Sequence, residues 1–146
     1  MNRFVRPETV VLALAGGETL VVKRRLNTGE ERALAAAMMR APTNGDDRPR
    51  VDPLKVGVET VLAYLLDWTL TDDGRPVPIR EQPPENVRAL LDALDYESFR
   101  EIRAAIERHV TREAEARAEE KKSQATGSAS SATSPSPSVA AGATNG

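Results

Sequence analysis

VDPLKVGVETVLAYLLDWTL, residues 51–70, decides how the rest of the chain is read. Leu54, Val58, Val61, Leu62 and Leu65 recur at spacings of three and four, the period of one helix face. Val56, Leu66 and Trp68 add apolar surface off that stripe, so the helix is expected to be covered on more than one side. Asp52 stands where an N-cap belongs, and Pro53 at the first helical position, where proline is tolerated. Thr71-Asp72-Asp73-Gly74 is a turn sequence, and Pro76 and Pro78 cannot continue a helix. These signals predict a central, mostly buried helix over residues 53–68. The only tryptophan and one of the two tyrosines lie in it, so the large packing area of an aromatic-poor chain is concentrated there.

Outward from that helix, Thr9 to Leu14 and Thr19 to Lys23 are short β-leaning runs flanking Gly16-Gly17. That pattern predicts a β-hairpin over residues 9–24, because the turn needs positive φ. A phosphate-binding reading of the two glycines lacks both the glycine spacing and the Lys-Ser/Thr ending. Thr28 with Glu31 reads as a capping box opening a first helix to about Arg40. Leu34, Ala37, Met38 and Ala41 share its apolar face. Residues 42–50 read as a loop, and Asp46-Asp47 within it as solvated side chains rather than metal ligands. Asp72-Asp73-Gly74 lacks the ligand alternation of a calcium loop and is better explained as turn chemistry. Val77 and Ile79 suggest a short extended piece packing back on the core.

A third amphipathic helix over Pro84 to Leu94 carries Val87, Leu90, Leu91 and Leu94. A fourth, capped by Asp95, carries the stripe Tyr96, Phe99, Ile102, Ile106 and Val110. Beyond Val110 the sequence TREAEARAEEKK favours helix by propensity but has no apolar face, so residues 111–120 are expected to project into solvent and fray. Ser, Thr, Ala, Gly and Pro make up 21 of the 26 residues from Lys121 to Gly146. Such a segment cannot bury enough apolar surface to offset its ordering entropy, which predicts a disordered tail over 121–146. The expected architecture is thus mainly α with a small N-terminal β-hairpin (α+β). About four helices pack around the central one in a domain over residues 1–120.

The formal net charge is −2 over 146 residues, unevenly spread. Residues 81–120 hold eleven acidic against six basic side chains, whereas residues 1–50 are mildly basic. With no strong basic patch, nucleic-acid binding is not indicated. The absence of cysteine excludes disulfides and thiolate metal sites and is compatible with a reducing cytoplasm. The N-terminal MNRFVRPETV lacks the apolar core of a signal peptide, and the run from Thr60 to Leu70 is too short, and interrupted by Asp67, to span a membrane. His109 is the single histidine and has no nucleophile or ligand at a recognisable spacing. A structural place for it is the better reading. Glu119-Glu120 read as solvated charges. No catalytic residue, cofactor site or metal site is therefore expected.

Three stretches together resemble a known family. They are VVLALAGGETLVVKRRLNTGEERAL (10–34), VDPLKVGVETVLAYLLDWTLTDDGRPVPI (51–79) and LDALDYESFREIRAAIERH (91–109), followed by the Ser/Ala-rich tail. This arrangement, from Thr9 to Val110, is similar to the tail assembly chaperones of long-tailed bacteriophages and related prophages. Its most characteristic part is Leu66-Asp67-Trp68 followed by Asp73-Gly74-Arg75-Pro76-Val77-Pro78-Ile79. The resemblance implies a mainly helical, non-enzymatic protein of the host bacterial cytoplasm. Such a protein binds and solubilises the tape measure protein, helps recruit the tail tube protein, and is absent from the mature virion. It also implies a longer frameshifted form of the same chain, for which the lysine codons at Lys121-Lys122 are a candidate slippery site. The alternative is a structural virion protein of the tail or the head-tail junction. Adaptable side chains suited to a partner-binding groove are Met38, Met39, Tyr64 and Trp68. The plain reading puts all four in the core. Core is favoured for Trp68, and Met39, off the Leu34/Met38 face, is open.

Overall fold

The structure, a computed structural model, describes residues 2–129 apart from Thr43, Asp46 and Asp47. It is mixed α+β, with four α-helices and small antiparallel sheets among the described residues. Strands β1 (Thr9–Ala13) and β2 (Thr19–Lys23) form the expected hairpin, with Val11 opposite Val21. Gly16 and Gly17 at its turn take φ of 79° and 84°, the region only glycine enters freely. Helix α1 (Thr28–Ala37) follows, then two two-residue strands, β3 (Met39–Arg40) and β4 (Arg50–Val51), which pair with each other. Helix α2 is Pro53–Tyr64 and strand β5 is Leu65–Trp68. The hairpin β6 (Thr71–Asp72) and β7 (Arg75–Pro76) leads to α3 (Pro84–Ala93) and the long α4 (Tyr96–Ala129).

The central helix stops four residues early. Residues 65–68 leave it to become the third strand of the main sheet, in the order β1-β2-β5. Leu20 faces Trp68, Val21 faces Asp67 and Val22 faces Leu65, so Leu66 is the extra residue of a β-bulge. The bulge accounts for the helix-like spacing of these residues. Leu65 and Trp68, three apart, would point to opposite faces of a regular strand. The inserted residue brings both to the inner face, where they are buried. A spacing of three, the signature of a helix face, is also what a bulged strand displays. Pairing along β2 satisfies backbone groups that would otherwise lie open on that edge, and this long-range gain overrides local propensity.

The inner face of the sheet carries Leu12, Leu20, Val22, Leu65 and Trp68. They form one buried cluster with Val61 and Tyr64 of α2, Val87 and Leu91 of α3, and Ile102, Ala105 and Ile106 of α4. The sheet and α4 thus share the core with α2, rather than all elements wrapping the central helix. On α2 the buried positions are Gly57, Val61 and Tyr64, while Leu54, expected on the apolar stripe, is 82% exposed. Tyr96, expected on the stripe of the fourth helix, is likewise exposed, with the Arg100 guanidinium 5.8 Å from its ring centre.

Local signals hold at most helix ends. Asp52 accepts from the Leu54 N–H at 3.0 Å, and Asp95 from the Ser98 N–H at 3.0 Å. The first capping box is shifted by one residue from the expected Thr28/Glu31. Asn27 is the cap and accepts from the Glu30 N–H at 2.8 Å, while Glu30 accepts from the Asn27 N–H at 3.1 Å. Asparagine is as good a cap as threonine, and Glu30 also ion-pairs with Lys23 of β2, which tips the choice. Asp73 and Gly74 both take positive φ, 47° and 77°, as a two-residue type I′ hairpin turn requires. Ile79 is buried, as expected of the extended piece.

The chain divides into two units, Met1–Glu113 and Ala114–Gly146. In the second, residues 114–129 are helical and residues 114–125 are exposed, which suits a sequence with good helix formers and no apolar stripe. Helix therefore continues past the expected tail boundary at Lys121. The remainder of the expected disordered tail, residues 130–146, and the Asp46-Asp47 pair lie outside the described residues.

Candidate partner-binding site

The four side chains singled out from the sequence separate into two pairs. Tyr64 and Trp68 are buried in the core. The Trp68 indole N–H donates to the Val77 carbonyl at 2.7 Å, which satisfies its one polar atom. The Tyr64 ring meets His109 edge-on, with centroids 6.2 Å apart and planes at 84°. Both therefore lie where the plain reading puts them, in the core, the place favoured for Trp68.

Met38 and Met39 are half-buried at the end of α1. The Met38 N–H donates to the Leu34 carbonyl at 3.1 Å, closing the helix. The Met38 carbonyl then accepts the Asp52 N–H at 2.7 Å, which ties the end of α1 to the start of α2. Because Met38 and Asp52 are a bonded pair, Met39 and Val51 are the non-bonded pair next to them, where facing side chains approach most closely. Val51 is 59% exposed, and Leu54 sits three residues further on in the first turn of α2. Asp52, nearly buried, holds the junction by capping α2, with the Arg40 Nε 3.9 Å from its carboxylate. The junction therefore presents Met39, Val51 and Leu54, three adaptable or aliphatic side chains, on a backbone fixed by short hydrogen bonds. The sequence pointed to Met38 and Met39. Val51 and Leu54 it assigned to, or next to, a buried stripe, and the only hint otherwise was their place beside the polar cap at Asp52.

His109 occupies a structural position at 4% exposure. Its Nε2 lies 3.1 Å from the carbonyl oxygens of both Lys23 and Arg24. Both are acceptors, so Nε2 carries the proton and donates. One turn later Glu113 receives Arg24 at 3.4 Å and Arg25 at 3.3 Å, and Arg24 also reaches Glu8 at 2.6 Å. The hydrogen bond to Glu8, reinforced by the nearby charge of Glu113, raises the Arg24 pKa above its usual value. These contacts pin α4 to the end of β2.

No family model, curated protein or solved structure matches this chain. Among the described residues no group of three or more His, Cys, Asp or Glu side chains is arranged to hold a metal ion. Among the same residues no helix is long and apolar enough to cross a membrane. The chemistry offered at the α1–α2 junction is apolar contact on a preformed frame.

Proposed function

We propose that this protein is a non-enzymatic assembly chaperone for the tail of a long-tailed bacteriophage. It binds and solubilises the tape measure protein and helps recruit tail tube subunits. It works in the host cytoplasm, alongside a longer frameshifted form of itself, and leaves before the virion is complete. The observation that carries the reading is the half-buried Met39 beside the exposed Val51 and Leu54 on the clamped junction of α1 and α2. The resemblance over Thr9 to Val110 supplies the setting. A long, partly apolar helical partner needs its stripe covered before assembly. Exposed aliphatic side chains beside a half-buried methionine suit an amphipathic helix laid across them.

Co-expression with the tape measure protein of the same phage tests this. The native chain is expected to keep the long partner in the soluble fraction. Val51→Asp with Leu54→Asp is expected to send most of it to the pellet, with the variant's own melting temperature within a few degrees of native, as for substitutions at exposed sites. Full solubilisation by the variant, folded and at equal level, would overturn the role given to this surface.

A further inference from the structure

The outer edge of β1 belongs to a different sheet from the strands of the α1–α2 junction. Among the described residues β1 is an edge strand of the three-stranded sheet. The Arg24 N–H donates to the Glu8 carbonyl at 2.9 Å and the Leu14 N–H to the Glu18 carbonyl at 2.8 Å. Both pairs belong to the register that places Thr9 opposite Lys23. Bonded and non-bonded pairs alternate along an antiparallel ladder. Val10 and Leu12 therefore turn their N–H and C=O toward β2, and Thr9, Val11 and Ala13 turn theirs away from it. Val11 is 63% exposed. The strand TVVLA has no charge, proline or bulge, the usual devices that keep an edge from pairing.

The far wall of this edge is α4. A groove of about 390 Å³ runs between Val10–Ala13 and the α4 residues Ala105, Arg108, His109, Arg112 and Glu113. Its charged groups are unequal. Glu113 is engaged by Arg24 and Arg25, and His109 by two carbonyls. Arg108 and Arg112 are exposed and have no ion-pair partner among the described residues. Four residues apart on a helix, they lie about 6 Å from each other along its axis. Alternate residues of an extended strand lie about 6.7 Å apart. A strand added to β1 would thus present consecutive side chains of one face to the two guanidiniums in near register.

We propose that the β1 edge and the Arg108/Arg112 wall form a docking groove for an extended, acidic protein segment, added as a fourth strand with carboxylates at alternate positions. Backbone bonds to Thr9, Val11 and Ala13 hold the segment, and the two arginines select its charge. A second copy of the chain fits less well. Two β1 strands paired about Val11 bring Val10 and Leu12 to the arginines, and neither carries charge.

The probe is a fluorescein-labelled peptide alternating threonine and glutamate, titrated with the full chain and read by anisotropy. Its counterpart alternates threonine and lysine. The glutamate peptide is expected to bind, more weakly as salt rises, and the lysine peptide not to bind. Arg108→Glu with Arg112→Glu is expected to weaken binding by about tenfold or more, as for loss of close charge pairs at an interface. Val11→Pro removes one outward N–H and no ladder bond, and is expected to weaken binding similarly. Should that variant fail to fold, the exposed arginine pair and slowed exchange of the Thr9, Val11 and Ala13 amides on adding peptide remain decisive. Equal binding of the two peptides, undiminished affinity in the arginine variant, or unchanged amide exchange would each overturn the proposal. So would self-association through β1 that the glutamate peptide does not displace.

Discussion

Replacing His109 dissects the contact that pins α4 to the sheet. The imidazole does two things: its Nε2–H serves the carbonyls of Lys23 and Arg24, and its ring meets Tyr64 edge-on. In His109→Leu the volume is nearly kept and both interactions go. Leaving the part-buried carbonyls without their donor costs about 1–3 kcal/mol. Losing an aromatic edge contact costs about 0.5–1.5 kcal/mol. The leucine recovers part of this as apolar burial, so the net loss is about 2–3 kcal/mol. For the unit Met1–Glu113 that corresponds to a fall in melting temperature of about 8–12 °C. In His109→Gln the amide nitrogen can still donate and only the ring is lost, so the loss is smaller, about 1–2 kcal/mol.

Urea unfolding followed by the fluorescence of Trp68, the only tryptophan and a buried one, reads both variants directly. The midpoint is expected to fall in the order native, Gln, Leu, with the slope unchanged because the surface exposed on unfolding is the same. A leucine variant as stable as the native chain would refute the structural role of the donor. A glutamine variant no better than leucine would assign the whole effect to the ring.

Two further outcomes follow from local geometry. At Gly57 an added Cβ would meet the Arg103 side chain at 3.0 Å. Arg103 is long and half-exposed, and among the described residues its only ion-pair partner is Glu107, so it can yield, and the helix propensity of alanine favours the change by about 1 kcal/mol. Gly57→Ala is expected to be neutral to slightly stabilising in the same urea assay, whereas a loss above about 1 kcal/mol would show that α2 and α4 have no slack there. The second outcome concerns acid. The hydrogen bond from Lys23 holds the Glu30 carboxyl below its usual range against partial burial, and the Ser98 hydroxyl and N–H do the same for Asp95. Groups with lowered folded values stabilise the fold above the ordinary carboxylate range and lose that contribution as pH falls through the lowered value. Melting temperature is expected to drop between about pH 5 and 3, less steeply in Glu30→Gln. An identical slope in that variant would remove Glu30 from the account.

Much of the fold was legible because its signals are local. Gly16-Gly17, Asp52-Pro53, Asp73-Gly74 and Asp95 each specify a turn or a cap through their own backbone preferences, and the structure has a turn or cap at each. What escaped depends on partners distant in sequence. Leu65–Trp68 is a strand only because β2, more than forty residues earlier, offers an edge. Met39 and Val51 pair across a loop whose composition carries no strand signal. Asn27 displaces Thr28 as the cap where Glu30 also finds Lys23. The candidate site was half legible for the same reason. Met38 and Met39 stood out by type, but the exposure of Leu54 and the burial of Tyr64 follow from which side of α2 the sheet covers, and no residue within α2 encodes that.

Quantitative crosslinking mass spectrometry on infected or induced cells, set against purified virions, tests the tail-assembly reading most directly. The account predicts crosslinks from the chain, lost or reduced in the Val51→Asp, Leu54→Asp variant, to a very long tape-measure-like protein in the lysate, and no copies in virions. Copies at fixed stoichiometry in virions would contradict it and make the chain a structural component of the tail or head-tail junction.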